Sequence, residues 1–278
     1  MDPLTFLAGT GGIAHREAAL SAGCRIPDLR RAARSGAVTV LRRQWLVTPA
    51  APPELRAAAA AGGRLACVSV ARRRGWWLPD LPPALHLHVS PHAAAGDRPP
   101  DAVAHWSVPV APAARFSLEE SVEDALRHVA RCLPREEALV VWESAIRIEG
   151  LSLEAIRAVR WRAQDAQECA ERVQGLSDSG LETLVVVRLS HWGVPVRQQV
   201  VLAGHRVDIL IGERLVVQID GYAHHSSAAQ RGRDVAHDAE LRLRGYTVIR
   251  VTYAQIVYDW PAVERMLSRA VAAGLHLA

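Results

Sequence analysis

Residues 206–225 read RVDILIGERLVVQIDGYAHH. Two apolar runs of strand length flank Gly212-Glu213-Arg214, and each carries an aspartate: Asp208 within the first run, Asp220 at the end of the second. Apolar strands seldom hold carboxylates, because burying an unpaired charge is costly. The chain must therefore fold so that these groups meet partners. Gln218 lies two residues before Asp220, and His224 and His225 follow a glycine turn. Two carboxylates at the tips of a hairpin, with nearby amide and imidazole donors, read as a metal site.

The register of that hairpin decides whether the donors meet. A two-residue loop, Gly212-Glu213, pairs Asp208 with Val217 and turns it away from Gln218. A three-residue loop, Gly212-Glu213-Arg214, pairs Asp208 with Gln218 and Arg206 with Asp220, all on one face. Glycine is favourable in such a loop. A metal site requires the longer one.

The flanking segments read α-β-β-β-α-β-α. Asp178 or Ser179 caps a helix over residues 180–192, with Glu182 near its start. Strands follow at 196–203, 206–211 and 215–220. A helix over about 227–244 places Val235, Ala239 and Leu243 at helical spacing, a strand spans 246–252, and a last helix spans 261–273 with Val263, Met266 and Leu267 inward. At the other end, helices over 4–7, 13–22 and 29–34, the last begun in a turn at 25–28, precede two short β segments around Arg42-Arg43. This is the order of a winged helix-turn-helix. It presents Arg30, Arg31 and Arg34 on the third helix and Arg42 and Arg43 at the wing, where phosphate contacts belong.

Between the ends, residues 65–71 fit helix or strand, and 85–90 and 102–108 alternate as strands. Trp76 and Trp77 read as core. Ser117 to Glu120 resembles a capping box ahead of a helix reaching Cys132. Helices over 135–148 and 153–173 form an acidic scaffold. His86, His88 and His105 read as β-surface residues. Cys24, Cys67, Cys132 and Cys169 show no CxxC or zinc-finger spacing and read as reduced structural thiols of a cytoplasmic protein.

Charge is polarised. Residues 1–74 hold twelve arginines against four acidic residues, whereas 117–182 hold eight against fourteen. Basic ends suit a polyanion such as nucleic acid, and equally suit a solvated arginine-rich surface. All 33 basic residues are arginine. The absence of lysine excludes Schiff-base, lysine-base and P-loop chemistry. No apolar run is long enough to span a bilayer, and the N-terminus does not read as a signal peptide. Nothing indicates an organic cofactor.

The helix with Glu182, the Arg206-Val207-Asp208 strand, the Gln218-Ile219-Asp220-Gly221 strand end, the following histidines and the helix with Arg231-Gly232-Arg233-Asp234 resemble the PD-(D/E)xK nuclease superfamily. Within it they are most similar to Vsr-like (very-short-patch-repair type) endonuclease domains. The resemblance covers about residues 178–273. The first 50 residues resemble, less specifically, the winged-helix start of AbiEi-type antitoxins. The resemblance implies three parts: a winged-helix DNA-binding domain over 1–48, a mixed α/β and helical linking region over 49–176, and a nuclease domain over 177–278 with an αβββαβ core, in an α/β (α+β) chain. It implies Mg²⁺ or Mn²⁺ held by Asp208, Glu182, Gln218 and the Ile219 carbonyl. His224 or His225 would be general base or proton donor. Asp220 would stand in the place of the motif lysine, and Arg206, Arg233 and Arg250 would contact DNA. Two departures stand out: Gln218 replaces an acidic ligand, and Val207 replaces the motif proline. The expected activity is metal-dependent DNA endonuclease, as monomer or homodimer. The alternative is a non-catalytic DNA-binding regulator of antitoxin type that keeps the nuclease scaffold.

Overall fold

The computed structural model describes residues 1–89, 98–175, 180–220 and 228–278. The chain is mixed α/β and forms two compact units. One comprises Met1–Leu133 with Arg157–Glu168, and the other Pro134–Ile156 with Cys169–Ala278. Residues 49–133 thus fall in the same unit as 1–48, and the helix after Pro134 falls with the C-terminal sheet. These limits differ from boundaries at 48 and 176.

The first unit starts with α1 (Pro3–Gly9), capped by the Asp2 carboxylate on the Thr5 N–H. Then come β1 (Ile13–His15), α2 (Arg16–Ser21), α3 (Ile26–Arg34), β2 (Thr39–Leu41) and β3 (Trp45–Val47). The strands form an antiparallel sheet of order β1-β3-β2. A helix was expected over residues 13–22, and its first three residues are strand instead. Ile13 and Ala14 pair with Val47 and Leu46 and are buried. His15 then starts α2, its Nδ1 accepting the Glu17 N–H at 3.2 Å. Leu7, Ala19, Leu29, Val38 and Leu46 close a core of their own beneath these elements.

The unit continues with α4 (Pro53–Ala61), β4 (Arg64–Leu65), α5 (Cys67–Arg74), β5 (His86–His88), β6 (Val103–His105) and α6 (Val122–Cys132). β4 pairs antiparallel with β5, and β5 parallel with β6. Trp76 is core, at 3% exposure. Ser121, not Ser117, caps α6: its hydroxyl accepts the Asp124 N–H at 3.1 Å. Ser117 instead holds the turn before it by accepting the Glu119 N–H.

Next come α7 (Arg135–Glu149), α8 (Leu153–Ala158) and α9 (Gln164–Arg172). The single helix expected over 153–173 is two, and the break between them buries Trp161 at 2% exposure. In the second unit α10 (Gly180–Leu189) packs on α7 and precedes β7 (Val196–Leu202), β8 (His205–Ile211), β9 (Leu215–Asp220), α11 (Ala228–Leu243), β10 (Thr247–Thr252), α12 (Tyr253–Tyr258) and α13 (Trp260–Ala272). The expected caps Asp178 and Ser179 lie outside the described residues.

The sheet order is β10-β9-β8-β7, antiparallel except for the parallel β9–β10 pair. Val207, Ile209, Ile211, Leu215, Val216 and Val217 are fully buried, as expected for strands covered on both faces. α11 departs from expectation. Val235 and Leu243 are 69% and 85% exposed, whereas Leu241 is buried. The helix turns Leu241 and a polar stripe toward the sheet, and that stripe belongs to the site.

Candidate functional site

The β8–β9 ladder pairs Ile211 with Leu215, Leu210 with Val216 and Ile209 with Val217. The loop is therefore the three-residue Gly212-Glu213-Arg214, and Asp208 stands level with Gln218. Here the backbone ladder gives way to side chains. The Asp208 N–H donates to the Gln218 Oε1 at 3.3 Å, and the Ile219 N–H donates to the Asp208 Oδ2 at 2.7 Å. Both residues are half-buried at the floor of a cleft of about 350 Å³.

On the other side of β8, Ala203 (φ 50°) and Gly204 (φ 82°) form a two-residue turn with both residues left-handed. This is the geometry a tight hairpin needs. It pairs Leu202 with His205 and so places Gln199 beside Asp208. Pairing is interrupted at that position, where Gln199 has φ 53°. Its amide donates to the Glu182 Oε2 at 2.8 Å, and Glu182 is 4% exposed. Glu182, Gln199, Asp208 and Gln218 thus form one line across α10, β7, β8 and β9. Gln199 was missed from sequence, although a two-residue Ala-Gly turn was enough to register it opposite Asp208.

Asp220 is held differently. The Arg250 guanidinium donates to both of its carboxylate oxygens and, at 3.1 Å, to Asp238 on α11. These bonds, with Asp220 first, lift the Arg250 pKa further above its ordinary value. Asp238 is 6% exposed, and among the described residues its Oδ1 has no hydrogen-bond partner. Arg250 thus lies in the cleft but is taken up by two carboxylates, and Asp220 is one arm of an ion pair. His237, also unanticipated, lines the cleft and bonds the Leu202 carbonyl at 3.0 Å. Its signal was the helical spacing of Asp234, His237, Asp238 and Leu241, which makes one face of α11.

Arg206 and Arg233 also line the cleft. His224 and His225 lie outside the described residues. In the first unit Arg30, Arg31, Arg34, Arg42 and Arg43 are exposed. Arg31 pairs with Asp28 at 3.2 Å, and the Arg42 Nε donates to the Ala60 carbonyl at 2.6 Å.

Residues 181–271, about a third of the chain, match the family model REase_MTES_1575, so this part of the chain is similar to restriction-endonuclease-like domains. Among solved structures the chain is similar to the "Homing Endonuclease I-Bth0305I Catalytic Domain", at 20% identity and a TM-score of 0.31, over 35% of this chain and 97% of that one. No curated protein matches the chain. Among the described residues no helix is long and apolar enough to cross a membrane.

A second polar cluster, in the first unit, corrects the reading of the histidines and cysteines. His86 and His105 are not independent surface residues, and Cys67 and Cys132 are not isolated thiols. One ligating atom from each of the four lies within 4.8 Å of the others. The separations in sequence hid this, because four different elements bring the residues together. Nearby, burial pushes the Glu120 carboxyl up to about 8. Burial, and then Arg127, pull His128 down to about 4. The Glu120–His128 contact of 3.0 Å therefore joins two groups that both favour their neutral forms at pH 7.

Proposed function

We propose that the chain is a metal-dependent DNA endonuclease that hydrolyses phosphodiester bonds, with residues 1–48 acting as a winged-helix reader of DNA. The observation that carries this reading is the convergence of Asp208 and Gln218, in the three-residue register, on a cleft of the restriction-endonuclease-like domain. The donors there are hard oxygens: the Asp208 carboxylate, which accepts the Ile219 N–H, and the Gln218 side-chain amide oxygen level with it. That set fits Mg²⁺ or Mn²⁺, since Mg²⁺ is commonly held by one or two carboxylates and keeps several waters. Asp208, Gln218 and the Ile219 carbonyl would hold the ion, with Glu182 acting through Gln199. Such an ion activates a water and relieves charge on the phosphate.

The protein's own groups supply the rest. Arg206 and Arg233 at the cleft wall attract and orient a phosphate. Asp220 and Asp238 fix Arg250, so that its charge sits at a defined place. His224 or His225 would move the proton. The exposed arginines of α3 and of the β2–β3 turn suit backbone phosphates.

A second reading is a DNA-binding regulator without cleavage. Two observations favour it: Gln218 is an amide rather than a carboxylate, and Asp220 is engaged by Arg250. Supercoiled plasmid incubated with Mg²⁺ or Mn²⁺ separates the two. Nicking by wild type that disappears in Asp208→Ala supports the endonuclease. Salt-steep gel-shift binding, with no cleavage by either protein, supports the regulator.

A further inference from the structure

The Cys67–His86–His105–Cys132 cluster is independent of the cleft, because all four residues belong to the first unit. Each comes from a different element: Cys67 begins α5, His86 begins β5, His105 ends β6 and Cys132 ends α6. Cys67 is fully buried and His105 is 8% exposed. The His86 Nδ1 stands 3.1 Å from the His105 Nε2, and the Cys132 Sγ stands 3.9 Å from that same nitrogen.

A single proton can satisfy only one such pair. Here two ring nitrogens and two sulfurs all turn toward one point. Zinc bonds of about 2.3 Å to sulfur and 2.0 Å to nitrogen give tetrahedral edges of roughly 3.3–3.8 Å. The N–N separation of 3.1 Å is a little short of its edge and the N–S separation of 3.9 Å a little beyond its own, so small shifts of the side chains close the four atoms on one ion. The donor set is mixed N₂S₂, which selects zinc over the hard cations suited to the cleft.

Two further observations point the same way. Cys67 adopts φ 51°, a left-handed backbone that a cysteine takes only where its surroundings impose it. Its N–H is held by Glu120 at 2.8 Å, which fixes the residue that aims the thiol. In addition, β4, β5 and β6 span only two, three and three residues. A ladder that short needs another tie. A metal bound here joins α5 and α6 to both parallel strands.

We infer that Cys67, His86, His105 and Cys132 form a structural zinc site, closed by four protein ligands and separate from the proposed nuclease site. The test uses the full chain, purified reduced and without chelator. Elemental analysis is expected to find about one zinc ion per chain. Replacement by Co²⁺ is expected to give the visible bands of a tetrahedral ion together with thiolate charge transfer. Cys132→Ser and His105→Ala should lose or shift those bands. Cys24→Ser, Cys169→Ser and Asp208→Ala should retain them. The cobalt spectrum of wild type needs no variant, so misfolding of a mutant cannot hide the answer. A chain with all four thiols reduced that carries no zinc and shows no cobalt–thiolate band overturns the site. So does a bound metal whose spectrum is unchanged in Cys132→Ser and His105→Ala, or one that is lost in Asp208→Ala.

Discussion

Arg250→Met separates the structural from the chemical role of Asp220. The guanidinium has two arms. The arm to Asp220 joins side chains 37% and 42% exposed, so solvent screens it; it should contribute about 0.5–1 kcal/mol. The arm to Asp238 reaches a side chain only 8% exposed, whose Oδ1 already lacks a partner among the described residues. Among the described residues Arg250 is the only donor to that carboxylate, and stranding it should cost about 2–3 kcal/mol. Arg250→Met should therefore destabilise the second unit by about 3 kcal/mol, and Asp220→Asn by no more than about 1 kcal/mol. Adding Asp238→Asn to Arg250→Met should recover about 1–2 kcal/mol of the loss. Amide hydrogen exchange over β9 and β10 measures this locally, and urea unfolding of the full chain gives the total. If Arg250→Met costs under about 0.5 kcal/mol, or Asp220→Asn costs as much as Arg250→Met, the division between the arms is refuted.

Gln218→Glu should act with opposite signs in two buffers. In EDTA a second carboxylate beside Asp208 should lower stability by about 1–2 kcal/mol, whereas saturating Mg²⁺ should reverse the sign; equal thermal shifts in both would count against an ion at this place. Gln199→Ala and Gln199→Gly both remove the amide that holds Glu182, but only alanine keeps the strain of φ 53°. The glycine variant should be the more stable by about 0.5–1 kcal/mol, read from denaturant midpoints. Ser121→Ala should cost about 1 kcal/mol through loss of the α6 cap, while Ser117→Ala should leave α6 helicity by circular dichroism unchanged.

Much of the second unit was legible because its signals are local. Apolar runs of strand length, Gly212 at the turn and the Glu182 helix follow from hydropathy and turn chemistry. The three-residue loop followed from asking where Asp208 must point. α11 was misread because Val235, Ala239 and Leu243 satisfy helical spacing while the opposite face packs on the sheet. A face bearing Asp234, His237 and Asp238 buries polar groups, and hydropathy alone assigns such a face to solvent. The strand Ile13–His15 was misread for a related reason: three residues are too few to show a period, and their pairing with β3 is a distant contact. The Cys–His cluster was the least legible, because its four residues share neither an element nor a spacing.

The β8–β9 turn also limits how this chain can change length. Surface loops usually tolerate insertion and deletion. This one does not sit free: the Glu213 N–H is bonded to the His276 carbonyl at 2.8 Å, and a Cβ on Gly212 would overlap that same oxygen. Losing or gaining one residue would also turn Asp208 to the opposite side of the sheet and bring Val207 or Ile209 to the cleft. Among descendants of this sequence, length changes here should occur in pairs or be matched by a compensating change elsewhere in the hairpin. The turn would then be conserved in parity while its residues drift.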